Sequence, residues 1–192
     1  MNVSRRIAET GRIMDAMAAD EELCATVKAV AETWVESLQN GGKILLAGNG
    51  GSAADAQHIA AELVGRFAFD RPALPAVALT TDTSIITAVG NDYGFDRLFA
   101  RQVQALGVRG DVLVGYSTSG GSENVLRAFE AARAGGLLTV GITGGRGGDG
   151  PMAELSDHLL VVPADNTALI QEGHLVLGHI LCGLVENAIF GS

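Results

Sequence analysis

The sequence predicts an α/β fold in three layers: a five-stranded parallel sheet with helices on both faces, preceded by a helical pair and closed by a long C-terminal helix. Two observations carry this reading. Short apolar runs of strand length alternate with segments of helical periodicity, the pattern of a parallel sheet covered on both sides. Two of those runs also break into a Gly-Gly-Ser turn and restart as a helix, at Gly50-Gly51-Ser52 and at Gly120-Gly121-Ser122.

Each element follows from its local pattern. Ile7, Met14 and Met17 recur at helical spacing, and Leu23, Val27, Val30, Trp34 and Leu38 form a cleaner stripe, so residues 1–40 read as two amphipathic helices used for packing or subunit contact. Asn40-Gly41-Gly42 gives a C-cap signal before the first strand, Lys43 to Ala47. Ser52 and Asp55 approximate a capping box for the helix that follows. Arg66 and Asp70-Arg71-Pro72 lead to a second strand over Pro75 to Leu79, then a short helix over Thr80 to Val89 that ends at Gly90-Asn91-Asp92. Phe95, Leu98, Phe99, Val103 and Leu106 mark another helix. Asp111 to Tyr116, Leu137 to Ile142 and His158 to Val162 read as the remaining strands, with a helix over Glu123 to Ala134. Gly144 to Gly150 reads as a flexible connection, because it offers no hydroxyls and leads only to a short helix begun by Pro151. Ala168 to Phe190 is the closing helix.

Composition limits the functions open to such a fold. A chain of 192 residues fits one domain with a sizeable core. Charged residues are 18%, below the roughly 25% of ordinary soluble domains, which implies apolar surface buried between subunits. The formal net charge of -9 and the absence of clustered Lys and Arg argue against nucleic-acid binding, so an anionic ligand would be held by amides and hydroxyls. No run approaches the ~18 uninterrupted apolar residues of a membrane helix, and Met1 to Arg6 has no apolar signal core behind it, so no membrane partner and a cytoplasmic location are expected. Cys24 and Cys182 lack metal-knuckle spacing and read as buried thiols.

Function concentrates on the two glycine turns and the helices behind them. Glycines let the backbone approach a ligand, and the free amides of a helix start attract anions. Ser117, Thr118, Ser119 and Ser122 add four hydroxyls in six residues, which suits the several acceptor oxygens of a phosphate monoester better than it suits a plain serine-rich turn. His58 and Glu62 are four apart and share one helix face, with Ile59 and Leu63 on the side toward the sheet. Alone, such a pair is often structural; beside a glycine turn it points to a pocket. The closing helix holds Gln171, His174 and His179, with Gln171 and His179 near one face. A lone histidine in an apolar helix is more often a core residue than a ligand, but the helix bearing His58 and Glu62 can supply complementary groups. Asp92 is either a pocket acid or a turn former.

These motifs are similar to those of the phosphoheptose isomerases, members of the sugar isomerase (SIS) family. The resemblance spans nearly the whole chain and is carried by Gly48 to His58, Glu62 to Arg66, Gly90-Asn91-Asp92, Ser117 to Gly120 and Ile170 to His174. It implies a single SIS domain over residues 1–192, whose N-terminal helices pack on neighbouring subunits of a homotetramer with active sites at the interfaces. It implies conversion of sedoheptulose 7-phosphate to D-glycero-D-manno-heptose 7-phosphate through an enediol, the first step toward activated-heptose precursors of lipopolysaccharide and other glycans. The resemblance assigns the sugar phosphate to Asn49, Gly50, Gly51, Ser52, Arg66, Asn91, Asp92, Ser117, Thr118, Ser119, Ser122 and Gln171. Acid and base are Glu62 and His179, and one zinc ion per subunit goes to His58, Glu62, Gln171 and His179. Gly121, Asn166 and Leu169 depart from the family pattern. Two rival readings are a non-catalytic binding protein of the replication-initiator-associating type, which resembles the isomerases least at Glu62 and His179, and an isomerase of another sugar phosphate.

Overall fold

A computed structural model describes residues 2–191. In chain order the elements are α1 (Val3–Ala19), α2 (Glu21–Gln39), β1 (Ile44–Gly48), α3 (Gly51–Val64), β2 (Ala76–Ala78), α4 (Thr83–Asp92), α5 (Leu98–Leu106), β3 (Val112–Tyr116), α6 (Glu123–Gly135), β4 (Leu138–Gly144), α7 (Pro151–Leu155), β5 (His158–Val162) and α8 (Thr167–Phe190). Single 3₁₀ turns stand at Phe95–Arg97 and Gly145–Gly147. The five strands are all parallel and lie in the order β2-β1-β3-β4-β5.

Alternation along each buried strand divides the core into two layers. Ile44 and Leu46 of β1, with Val112 and Val114 of β3, face α1, α2, α3 and α8; Leu45, Ala47 and Leu113 face α5, α6 and α7. The stripe of α2 is used within its own chain, with Val30 and Trp34 fully buried. By contrast Val3 and Ile7 of α1 are each 67% exposed, so Ile7 does not share the buried position of Met17. By length and composition α8 could cross a bilayer, yet Ile170, Leu177, Leu181 and Val185 pack into the core.

Several local expectations are corrected. Gly50, with φ +58, takes the cap position two residues before Ser52, so Ser52 falls in the first turn, makes no cap and lines a cavity with Ser117 and Ser122. α4 is capped instead by Asp82, whose carboxylate accepts from the Ile85 amide, and it runs on through Gly90, Asn91 and Asp92. In the stripe after it, Leu98, Phe99 and Val103 are buried, while Phe95 and Leu106 remain exposed. Cys24 is exposed on α2, because its position faces away from the Leu23–Val27–Val30 stripe; Cys182 is buried, and burial pushes its thiol up to about 12. Far from being a loose connection, the segment after β4 packs against the serine loop: a Cβ on Gly120 would stand 2.8 Å from the Cα of Gly147.

The ends of α3 and α8 are joined by a buried ion pair. Glu186 accepts from Arg71 Nε at 3.0 Å and from the amides of Phe67 and Ala68 at 2.9 and 2.7 Å. The Arg71 guanidinium donates in turn to the carbonyls of Glu62 and Leu63 at 2.8 and 2.7 Å, closing the C-terminus of α3 with a positive charge. Burial alone would raise the Glu186 carboxyl, but the Ala68 and Phe67 amides and Arg71 together hold it below the usual range. Replacing one member of a buried pair strands the other, at about 3–5 kcal/mol. Glu186→Gln should therefore melt well below the parent at neutral pH. A depressed carboxyl contributes stability above the ordinary carboxylate range and loses it as pH falls through the folded value. The gap in Tm between parent and variant should narrow on acidification below pH ~4, and a gap independent of pH would contradict this reading.

Candidate functional site

The strand order reverses between β1 and β3, since β2 lies on one side of β1 and β3 on the other. The connections leaving the two strands diverge there and open a crevice at their carboxyl ends, the general ligand position of such sheets. Both Gly-Gly-Ser turns fall at that point. Asn49, after β1, and Asn124, at the start of α6, exchange two amide hydrogen bonds of 2.8 Å and tie the two loops together.

The two helices that follow the glycine turns start without a side-chain cap. α1, α2, α4 and α8 are closed by Asn2, Asp20, Asp82 and Asn166, but α3 and α6 begin at Gly50 and Ser122 with no side-chain cap. The Ser122 hydroxyl lies 2.8 Å from the hydroxyl of Ser117 instead. These open starts, with the hydroxyls of Ser52, Ser117, Thr118 and Ser122, surround a cavity of about 300 Å³ that also reaches Gln171. Every residue lining it is uncharged. An anion is met here by amides, hydroxyls and helix dipoles.

Farther along α3 the ionisable groups converge. His58 and Glu62 approach to 3.6 Å, and His58 Nε2 lies 2.8 Å from His179 Nε2 on α8. α3 and α8 both begin near the crevice, and Ile59 packs where a Cβ on Gly178 would stand. This contact brings residues 58 and 179 opposite each other. Phe67, whose amide is held by Glu186, lies 5.7 Å from the His179 ring and walls the pair. One donor atom each from His58, Glu62 and His179 falls within 4.8 Å of the others, a nitrogen and oxygen set that suits a divalent metal. One turn before His58, burial pushes the Asp55 carboxyl up to about 6, against the opposing pull of His58.

Not every expected residue joins these groups. Gln171 stands eight residues before His179, about 12 Å along the axis, with its amide against Gly51. Arg66, Asn91 and Asp92 are exposed and line neither the cavity nor the His–Glu cluster, Asn91 donating to Asp92 at 2.7 Å. His174 is fully buried beside Tyr116, and burial lowers it to about 4, as befits a core histidine. The departures also have local reasons: Asn166 caps α8, Leu169 packs on the core, and nothing but the Ser119 hydroxyl lies near a Cβ on Gly121.

Comparison with known proteins shows the family. The SIS domain profile matches residues 7–144. The phosphoheptose isomerase of Burkholderia pseudomallei is 67% identical over 190 residues, 99% of this chain and 95% of that protein. This chain belongs to the phosphoheptose isomerase family. Among solved structures, the phosphoheptose isomerase of Neisseria gonorrhoeae matches with a TM-score of 0.89 at 47% identity, covering 96% of this chain and 97% of that one. The corresponding protein from Francisella tularensis gives 0.91 at 40% identity, with 96% of each chain covered. Sequence reasoning missed Arg146, which lies beside Thr118 and Ser119 in a recess adjoining the cavity. Its signal was a lone cation in a glycine segment already set aside as a connection.

Proposed function

We propose that this chain interconverts sedoheptulose 7-phosphate and D-glycero-D-manno-heptose 7-phosphate through an enediol. The observation that carries the reading is the meeting of Glu62, His58 and His179 on helices that begin at an anion-binding cavity. Ser52 and His58 are six residues apart, about 9 Å of helix axis. That length suits a sugar with its phosphate at the far end from the reacting carbons. The names of the relatives support the same substrate class. The binding-module reading and the reading as an isomerase of another sugar phosphate are not favoured by 67% identity over the whole chain.

In this account the open amides and the hydroxyls of Ser52, Ser117, Thr118, Ser119 and Ser122 hold the phosphate, with Gly50 and Gly51 giving it room. Asn49 and Gln171 border the sugar chain. Glu62 takes a proton from one of the two reacting carbons, and charge moves onto the neighbouring carbonyl oxygen to give an enediolate. Passage of the hydroxyl proton to that oxygen gives the enediol isomer whose carbonyl re-forms at the first carbon. His179 returns a proton to the other carbon. The Nε2 atoms of His58 and His179 lie 2.8 Å apart, beside the Glu62 carboxylate. Positioned groups of this kind contribute about 10²–10⁴ in rate each. His58, Glu62 and His179 would hold one zinc ion, with Gln171 outside that set, against Gly51. When bound, zinc supplies Lewis-acid stabilisation of charge developing on the sugar oxygens.

The working unit in this reading is a homotetramer with sites at subunit interfaces. Val176, Ile180 and Leu184 form an exposed apolar stripe on α8 beside a groove of about 320 Å³ bordered by α1 and α2. Arg66, Asn91 and Asp92, exposed in a single chain, then serve a site completed by a neighbour, as do the N-terminal helices. A charged sugar phosphate is retained in the cytoplasm, where the reaction is proposed to run.

Glu62→Gln should still bind the sugar phosphate while kcat falls by at least ~10² and less zinc is retained per chain after dialysis. Unchanged turnover would remove Glu62 from the chemistry. Ile180→Glu should reduce the mass measured by light scattering from that of a tetramer to a smaller species, and an unchanged tetramer would exclude this face as an interface.

A further inference from the structure

We infer that Arg146 is the cation of the phosphate subsite, held in reserve by Asp165. This rests on the reading that the serine loop receives a sugar phosphate, and goes beyond it by supplying the charge that loop lacks. A phosphate monoester is close to a dianion at neutral pH. The cavity lining is entirely uncharged and the whole chain carries a formal -9, so hydroxyls and helix dipoles face the anion without a counter-ion.

The 3₁₀ turn at Gly145–Gly147 brings a guanidinium to that edge. Its backbone is anchored on both sides: the Gly144 amide donates to the Thr118 carbonyl at 3.3 Å and the Gly145 amide to the Ala164 carbonyl at 3.0 Å. The close approach of Gly147 to Gly120 presses the turn against the serine loop. Arg146 shares a recess of about 140 Å³ with Thr118, Ser119, Asp165 and Thr167, and Thr118 and Thr167 also line the main cavity, so the two spaces adjoin.

Arg146 Nε lies 3.3 Å from Asp165 Oδ1, with the two side chains 78% and 64% exposed. An exposed pair of this kind is weak, and a guanidinium makes stronger, bidentate contacts to phosphate. Exchange of the Asp165 carboxylate for the substrate phosphate therefore costs little. Asp165 keeps the arginine near the loop when no ligand is bound, and competes with the ligand for it.

The test is calorimetric titration of the full-length protein with inorganic phosphate, beside turnover of sedoheptulose 7-phosphate by the same preparations. Arg146→Ala should weaken phosphate binding about tenfold and raise KM with kcat nearly unchanged, while Arg146→Lys should lose less. Asp165→Asn should tighten binding by releasing the guanidinium. Unchanged phosphate affinity in Arg146→Ala, or an equal loss in Arg109→Ala, where an exposed charge is removed elsewhere, would overturn the assignment. A parent protein that binds phosphate through Arg146 but does not turn over the heptulose would sink the proposed reaction and leave the subsite standing. Turnover with an indifferent Arg146 would do the reverse.

Discussion

The arrangement of the reacting groups depends on one buried contact, the Arg71–Glu186 pair. With side chains only 2% and 1% exposed, the pair sits where α3 ends and α8 nears its own end. Arg71 fixes the last carbonyls of α3, including that of Glu62, while Glu186 fixes the Phe67 amide that sets the wall behind His179. A charge pair so deeply desolvated contributes little net stability, yet it is costly to break from one side. Its consequence here is register: together with the Ile59–Gly178 contact it pins α3 and α8 where His58, Glu62 and His179 meet.

The other end of the same two helices depends on topology. Reversal of strand order between β1 and β3 opens the crevice, and glycine at position 50 begins α3 without a side-chain cap. α3 and α6 start without a side-chain cap, which leaves backbone donors for a ligand at the switch point. For a chain of strong negative charge this matters. Attraction of an anionic substrate has to be generated locally, within a Debye length of about 8 Å at physiological salt.

Much of this was legible in the residues. Apolar runs located all five strands, and both glycine-serine turns fall at the crevice, because turn chemistry and burial are local properties. The i,i+4 pairing of His58 and Glu62 was equally local; the closing helix with His179 could be set against it as a second histidine-bearing helix, while the shared ligand set came only from the family resemblance. What the chain order hid was tertiary. Ser52 looked like a cap because hydroxyls usually are, but the positive φ of Gly50 moved the helix start. Asp82, hidden between two threonines and a third, capped α4 and carried the helix through Asn91 and Asp92. Arg146 could not be connected with the serine loop until two glycine segments were seen in contact.

The central claim is proton transfer by two different groups, Glu62 at one carbon and His179 at the other. NMR of the protein with sedoheptulose 7-phosphate in deuterated water tests it most directly. A proton delivered by His179 has exchanged with solvent, so the aldoheptose phosphate should appear carrying deuterium at C2. Aldoheptose phosphate formed with protium retained at C2, or no product at all, would contradict the account.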